Sequence, residues 1–240
     1  METSNPLLKR EGAFSSAWGR TEAMSLQGVI NKSGILLLIC LASAGFAWTH
    51  PAWQGPLLVV GLIGGLVAFF VGLFKPTTSP VAAPLYAVFE GFLLGAISQV
   101  MQYRYPGIVV NAMLLTFGVL GLMLLLYTTR IIRVTQRLVT GIMVATGAVF
   151  LVYLADMIMH LFGSGVPFIH EGGMVGIGLS LLIVGIAAFN LLVDFAVIES
   201  NVSSGAPRYM EWYCGMALLV TLVWLYLEIL RLLAKLRGRD

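Results

Sequence analysis

The sequence predicts an all-α integral membrane protein, and three observations support this fold class. Of its 240 residues, 59% are hydrophobic and only 10% are charged, whereas a soluble domain carries about 25% charged residues. The mean hydropathy is +0.93. Long apolar runs, close to the ~20 residues that a helix needs to cross the hydrocarbon core, alternate with short polar connections. A soluble fold could not bury this much apolar surface.

Seven runs are predicted to cross the membrane, separated by connections rich in Pro, Gly, Ser and Thr such as "KPTTSP" and "SSGAPR". The chain is expected to form a polar or interfacial N-terminal segment (1–33), a seven-helix transmembrane domain (34–236) and a short basic tail (237–240). The N-terminal segment lacks the apolar run of a cleaved signal peptide, so we expect it to be retained. The predicted spans are Gly34–Thr49, Leu57–Phe74, Ala82–Met101, Ile108–Thr128, Leu138–Phe162, Gly173–Val197 and Trp212–Ala234.

The distribution of Lys and Arg predicts that the N-terminus is cytoplasmic, because loops on that side carry the excess of basic residues. The basic C-terminus opposes this orientation, since seven crossings would place it outside. Either the charge rule is overridden or one segment is re-entrant. The inner residues would be Lys9, Arg10, Arg20, Lys32, Lys75, Arg130, Arg133, Arg137 and Arg208, and the outer ones Arg104, Arg231, Lys235, Arg237 and Arg239.

The basic residues cluster beside the spans, as in "TTRIIRVTQR" and "RLLAKLRGRD". This placement favours contact with anionic lipid headgroups over a nucleic-acid partner. The two cysteines, Cys40 and Cys214, form no CxxC pattern and no disulfide framework, and we expect both to be buried thiols.

Four of the eleven carboxylates lie at membrane depth: Glu90, Asp156, Asp194 and Glu228. An ionised carboxylate at the centre of a membrane helix costs about 2.5–3.5 kcal/mol on insertion scales. Such a group persists when it is paired, hydrated or protonated. Each of the four is therefore a candidate functional residue.

Asp194 and Glu90 are the candidates for an ion or proton site. In "AAFNLLVDFAVIES", Asn190 precedes Asp194 by one helical turn and Glu199 follows it. Glu90 has Tyr86 one turn away as a hydrogen-bond donor; a protonated glutamate packed against a neighbouring helix is the alternative. If the two helices touch, the carboxylates cannot both ionise cheaply, and Ca²⁺ would neutralise them. The expected ion or proton ligands are Asp194, Glu90, Asn190, Glu199 and Asp156, with Asp194 and Glu90 as Ca²⁺ ligands; no tightly bound cofactor is expected.

Asp156 belongs to a polar stripe on the fifth predicted span. Thr146, Tyr153, Asp156 and His160 recur at spacings of 7, 3 and 4, which place them on one helical face. A pH-sensitive hydrogen-bonding group at the outer side is one interpretation of His160.

Glu228 lies on the last span, seven residues after Thr221 and three before Arg231. The i, i+3 spacing makes Arg231 the expected partner of Glu228, in a structural ion pair.

No hydrolase signature is present: the sequence contains no G-x-S-x-G, H-E-x-x-H or Walker motif. Asp156 and Asp194 lie at opposite ends of their spans, which argues against an intramembrane aspartyl dyad. We therefore expect a protein that is not an enzyme.

Five segments together resemble the Bax inhibitor-1/YccA family of seven-span membrane proteins, and most closely its bacterial Bax inhibitor-1-like branch. The resemblance implies a bundle in which the last helix is central, a bacterial cytoplasmic-membrane location and a passive, pH-sensitive Ca²⁺ leak. The segments are "MSLQGVINKSG", "YAVFEGFLLGAIS", "LYTTRIIRVTQR", "NLLVDFAVIESNVSSGAP" and "YMEWYCGMALLVTLVWLYLEILRLL".

In that family, paired aspartates on spans six and seven close the pore when they are hydrogen-bonded. Asp194 matches the first aspartate, but the second position is Thr221, which cannot ionise. The paired switch therefore does not carry over intact, and Glu90 or Glu228 is the candidate replacement. The residues expected to act in gating or helix pairing are Thr221, Glu228, Arg231 and Tyr86.

Three functions follow as hypotheses. The first is a passive, pH-modulated cation conduit that uses the buried carboxylates. The second, also implied by the resemblance, is a non-conducting modulator that binds and restrains a membrane-bound AAA protease through its N-terminal segment and basic inner loop. The third is proton-coupled transport of a solute.

Overall fold

The structure, a computed structural model, describes residues 23–162 and 173–238, and its regular structure there is helical apart from one antiparallel bridge between Ala23 and Pro207. Seven helices in this part are long and apolar enough to cross a membrane, which confirms the predicted fold class. They are α1 (Leu26–Thr49), α2 (Gln54–Phe74), α3 (Ser79–Arg104), α4 (Ile108–Thr128), α5 (Gln136–Leu161), α6 (Met174–Ser203) and α7 (Met210–Arg237).

Most of the helices extend beyond the apolar runs that predicted them. α1 begins at Leu26 rather than at Gly34, because Ser25 caps it: its side-chain oxygen accepts a hydrogen bond from the backbone N–H of Gly28 at 3.0 Å. The predicted polar segment 1–33 therefore contributes its last eight residues to α1. Residues 1–22 of that segment, and residues 239–240 of the predicted tail, lie outside the described residues.

The seven helices alternate in direction, as contacts at the two ends of the bundle show. At one end, the Ser25 end, Ser79 Oγ of α3 donates to the backbone oxygen of Tyr209, just before α7, at 2.9 Å. At the other end, the His50 end, Gln99 Nε2 of α3 donates to the Trp48 backbone oxygen of α1 at 2.9 Å. In the described residues every long helix runs from one end to the other, and none of them turns back halfway.

The C-terminal end of α7 consequently lies at the opposite end from the start of α1, so the re-entrant alternative is not needed. The basic side chains of this end are engaged within the protein. Arg237 donates to the backbone oxygen of Pro106, Lys235 contacts α6, and Arg231 pairs with Glu228. These three basic side chains therefore make structural contacts at this end of the bundle.

The last helix is the centre of the bundle. α7 packs against α1, α3, α4 and α6, and half of its most apolar stretch is buried, the largest share among the seven helices. α5 is the most peripheral, with 11% buried, and packs chiefly on α6. The central position of α7 places its polar residues against several neighbouring helices.

Glycine allows α2 and α3 to approach backbone to backbone. A Cβ atom added at Gly61 would lie 2.7 Å from both the backbone nitrogen of Leu93 and the backbone oxygen of Phe89. Neither backbone atom can move aside without shifting α3.

We therefore expect Gly61→Val to destabilise the bundle by about 1–3 kcal/mol, the usual cost of overpacking, and to lower the Tm in detergent by about 5 °C for a chain of this length. The matched control is Gly118→Val, because a Cβ at Gly118 meets nothing within 4 Å. Equal Tm values for the two variants would contradict the close α2–α3 contact.

Candidate functional site

A hydrogen bond between a carboxylate and a hydroxyl joins α6 to the central helix. Thr221 Oγ1 of α7 donates to Asp194 Oδ2 of α6 at 2.6 Å. Thr221 is 9% exposed and Asp194 is half-buried. The same hydroxyl lies 3.3 Å from the backbone oxygen of Ala217, a longer and weaker alternative. The carboxylate thus has a hydrogen-bonding neighbour inside the bundle and does not simply face lipid.

Asp194 borders a partly open cavity of about 200 Å³ between α2, α6 and α7. Besides Asp194, its titratable lining residue is Tyr213, and Cys214 is an electrostatic neighbour of the carboxylate. No Lys or Arg among the described residues pairs with Asp194. The cavity is lined by Phe69, Leu73, Asp194, Tyr213, Met216, Ala217, Val220 and Thr221.

Asn190 and Glu199, which the sequence associates with Asp194, have other partners. Asn190 Nδ2 donates to Thr146 Oγ1 of α5 at 2.8 Å and to the Ile186 backbone oxygen at 2.9 Å. Glu199 is exposed at the Ser25 end and accepts a hydrogen bond from Tyr127 of α4. Asn190 therefore joins α6 to α5, and Glu199 joins α6 to α4.

Glu90 lies in a separate buried position among α1, α2 and α3. Its side chain is 9% exposed and makes no hydrogen bond within the described residues. Cys40 of α1 and Tyr86 are its electrostatic neighbours, and a Cβ at Gly65 of α2 would lie 3.1 Å from Glu90 Oε2. No basic side chain pairs with Glu90 there.

The structure does not bring Glu90 and Asp194 together as one hydrogen-bonded pair, because they face different groups of helices. The hydrogen bond expected from Tyr86 to Glu90 is also absent; Tyr86 is buried against Phe69, with ring centroids 6.3 Å apart. The α6–α7 contact is therefore formed by one carboxylate and one hydroxyl, without a second acid.

Two residues of the polar stripe on α5, Thr146 and Tyr153, face neighbouring helices, whereas the His160 side chain is 57% exposed. Tyr153 Oη donates to Glu228 Oε1 of α7 at 2.7 Å. At the next turns, His160 Nδ1 lies 3.6 Å from Asp156 Oδ1. The bonds of Tyr153 and Thr146 place these two residues along the junction of α5 with α6 and α7, while the contact between Asp156 and His160 lies within α5.

Glu228 has the partner that the sequence predicts. Arg231 Nη1 lies 3.2 Å from Glu228 Oε1, and Trp224 Nε1 also donates to Oε1 at 3.2 Å. Only 1% of Glu228 is exposed. This carboxylate is therefore balanced by a cation, whereas Asp194 and Glu90 are not.

Sequence reasoning missed a charged cluster at the Ser25 end. Glu211, 3% exposed at the start of α7, pairs with Lys32 of α1. Glu211 Oε1 also accepts from the backbone N–H of Ser25 at 2.9 Å. Ser25 is a residue type that commonly caps helices, but nothing in the sequence indicates that Glu211 reaches it.

The contact of Lys235 with α6 was also missed. Lys235 Nζ donates to Ser180 Oγ at 2.8 Å and to the backbone oxygen of Gly176 at 3.0 Å. A lysine in a basic C-terminal run is usually solvated, so no sequence pattern predicts that it lies between helices.

Among the described residues, no three His, Cys, Asp or Glu side chains come together as a metal site would require. A Ca²⁺ ion takes six to eight oxygen ligands. At Asp194 it would therefore depend on water and backbone oxygens in addition to the carboxylate.

These features define a multi-pass membrane protein whose central helix makes hydrogen bonds and ion pairs to the helices around it. The sequence matches the family described as Bax inhibitor 1 like over residues 5–238, and the chain belongs to that family. No curated protein and no solved structure matches it.

Proposed function

We propose that the protein is a passive, pH-sensitive leak for Ca²⁺ or similar cations, with Asp194 as the carboxylate that attracts the ion. The observation that carries the proposal is the position of Asp194 at membrane depth, beside a cavity, with a neutral hydroxyl as its partner. A carboxylate without a counter-ion is energetically costly at this depth, and its presence there therefore suggests a functional role.

The proposed pH dependence has a definite sign. Ionised Asp194 attracts a cation, and protonated Asp194 does not, so cation flux should increase as the pH rises. The contact with Thr221 does not itself require a proton, because a hydroxyl can donate to an ionised carboxylate and can accept from a protonated one. Protonation therefore acts on the cation site more than on the α6–α7 contact.

Glu90 provides a second site in this proposal, separate from Asp194. As a buried carboxyl without a hydrogen-bond partner, it is stable in a protonated form or with a transient cation and water. A change in its protonation would alter packing among α1, α2 and α3, and α2 also lines the Asp194 cavity through Phe69, which packs against Tyr86.

The experiment that tests the proposal is Ca²⁺ uptake into proteoliposomes across a pH series that spans neutrality. We expect Asp194→Asn to reduce flux at the high-pH end by about tenfold, the factor that corresponds to 1.4 kcal/mol of lost attraction. Asparagine retains an acceptor for Thr221, so the α6–α7 contact is preserved. Glu90→Gln should shift the pH profile and leave the maximal flux in place.

The matched control is Glu199→Gln, which neutralises an exposed carboxylate on the same helix. It should behave as the wild type does. Unchanged flux at every pH in both Asp194→Asn and Glu90→Gln would exclude a conduit that uses these carboxylates.

A second candidate function is supported by a basic surface at the Ser25 end, formed by exposed Arg130, Arg133, Arg137 and Arg208. This surface would suit a non-conducting modulator that binds a membrane-bound AAA protease. A deletion for this test should remove residues 1–22 only, because the Met24 N–H donates to the backbone oxygen of Ala206 at 2.7 Å and anchors the following chain. Loss of protease capture in this deletion, together with no protein-dependent Ca²⁺ flux in the wild type, would favour this function.

A further inference from the structure

In the half of α7 nearer the His50 end, Arg231 and Lys235 are cationic side chains that contact oxygen atoms of neighbouring helices. Arg231 Nη1 lies 3.2 Å from both carboxylate oxygens of Glu228 and donates to Tyr153 Oη of α5. One turn later, Lys235 reaches the oxygens of Gly176 and Ser180 on α6. Two positions that could hold a cation are thus occupied by the protein's own cations.

Glu228 is the fixed part of the first position. Its carboxylate also accepts from Tyr153 Oη and Trp224 Nε1, and its side chain is 2% exposed. The Arg231 side chain is 40% exposed, and its guanidinium lies over the Tyr153 ring, 4.9 Å from the centroid. The Glu228 carboxylate is therefore held in place, while the Arg231 side chain is exposed enough to move away from it.

Glu228 and Arg231 belong to a series of polar side chains that begins at Asp194 and runs toward the His50 end. Glu228 follows Thr221 by seven residues, about 10 Å along the same face of α7. Between these levels, Asn190 of α6 contacts Thr146 of α5. Polar side chains therefore follow the junction of α5, α6 and α7 from the Asp194 cavity to the His50 end.

α5 packs loosely along this junction. Only 11% of its most apolar stretch is buried, the smallest share among the seven helices. Within a bilayer, helix association depends on packing and on polar contacts. With little packing, the bonds from Thr146 and Tyr153 supply much of the attachment of α5, and this junction can open with less disruption than the α2–α3 interface.

We propose that Glu228 and Tyr153 form a second cation site and that Arg231 is its tethered occupant, which closes the junction until it is displaced. Lys235 occupies the adjacent position on α6 in the same way. The claim that a cation binds here is argued only from the contacts of Glu228. The claim that this site takes part in conduction rests on the proposed function. An external cation should bind at Glu228 once the guanidinium is removed.

Terbium luminescence tests the site directly, because Tb³⁺ prefers the same hard oxygen ligands as Ca²⁺ and Trp224 lies beside Glu228 to sensitise its emission. We expect Arg231→Gln and Arg231→Met to increase Tb³⁺ affinity in detergent by about tenfold, or 1.4 kcal/mol. Arg231→Lys, which retains a tethered cation, should give no increase. The double variant Glu228→Gln/Arg231→Gln should show no increase in Tb³⁺ affinity. It should also fold, because it leaves no unpaired charge at this position.

No gain in Tb³⁺ affinity in either folded neutral variant would overturn the proposal, as would a gain that persists in the double variant. Ca²⁺ flux measured in parallel separates the two claims. Suppose that the flux depends on Asp194 and that the Arg231 variants gain Tb³⁺ affinity without a gain in flux. This result would support cation binding at Glu228 and exclude a role of Glu228 in conduction. Absence of flux in every variant would refute the conduit, and the Tb³⁺ result would still decide the site.

Discussion

Replacing Thr221 with aspartate will make the pH dependence of cation flux much steeper than in the wild type. Thr221 Oγ1 lies 2.6 Å from Asp194 Oδ2, so a carboxyl group at this position would face the Asp194 carboxyl directly. Two carboxyl groups in contact share one proton, and they repel one another once that proton is lost. The α6–α7 contact would then be closed at low pH and forced open at high pH.

The measurement is the same proteoliposome Ca²⁺ uptake, with Thr221→Ser and Thr221→Val as controls. Serine keeps the hydroxyl and should reproduce the wild-type profile. Valine keeps the shape but removes the donor, so flux should rise at every pH without a steeper profile. If Thr221→Asp titrates like the wild type, the α6–α7 contact does not control cation flux.

Replacing Glu211 with alanine will destabilise the whole bundle. Glu211 is 4% exposed in its side chain and pairs with Lys32, which is 15% exposed; the pair joins the starts of α1 and α7. Removing one partner leaves a nearly buried lysine without its counter-ion, at a cost of about 3–5 kcal/mol. For a chain of this length, that corresponds to a decrease in Tm of about 10 °C.

Thermal unfolding in detergent, followed by size-exclusion chromatography, measures this effect. The double variant Lys32→Met/Glu211→Leu removes both charges and should recover most of the lost stability, because a packed apolar pair can replace a buried ion pair. Glu199→Ala, at an exposed site of the same end, should change the Tm little. A Tm for Glu211→Ala within the error of the wild type would show that the cluster does not hold α1 to α7.

The fold could be predicted because each span carries its own signal: an apolar run, bounded by residues that end helices. Helix ends were less predictable because capping and tertiary contacts decide them. α1 begins at Leu26, where Ser25 supplies a cap, although polar residues such as Asn31 and Lys32 interrupt the hydrophobic pattern before Gly34.

The candidate site was predictable where the spacing of residues along one helix decides a contact. Arg231 and Glu228 are three residues apart on α7, and their ion pair is present. Contacts between helices depend on how each helix is rotated about its axis and on how deeply it sits in the membrane, and no local sequence pattern encodes either. For this reason the sequence did not predict that Tyr153 would reach Glu228, that Asn190 would turn to Thr146, or that Glu90 would face away from Asp194.

The most direct test of the account is whether the wild-type protein lets Ca²⁺ cross a bilayer down its gradient. Purified protein in liposomes loaded with a Ca²⁺ indicator should be compared with protein-free liposomes at one pH below and one pH above neutrality. For a passive leak controlled by Asp194, we expect protein-dependent Ca²⁺ entry that needs no energy source and is faster at the higher pH. Entry no faster than in protein-free liposomes at either pH would contradict it.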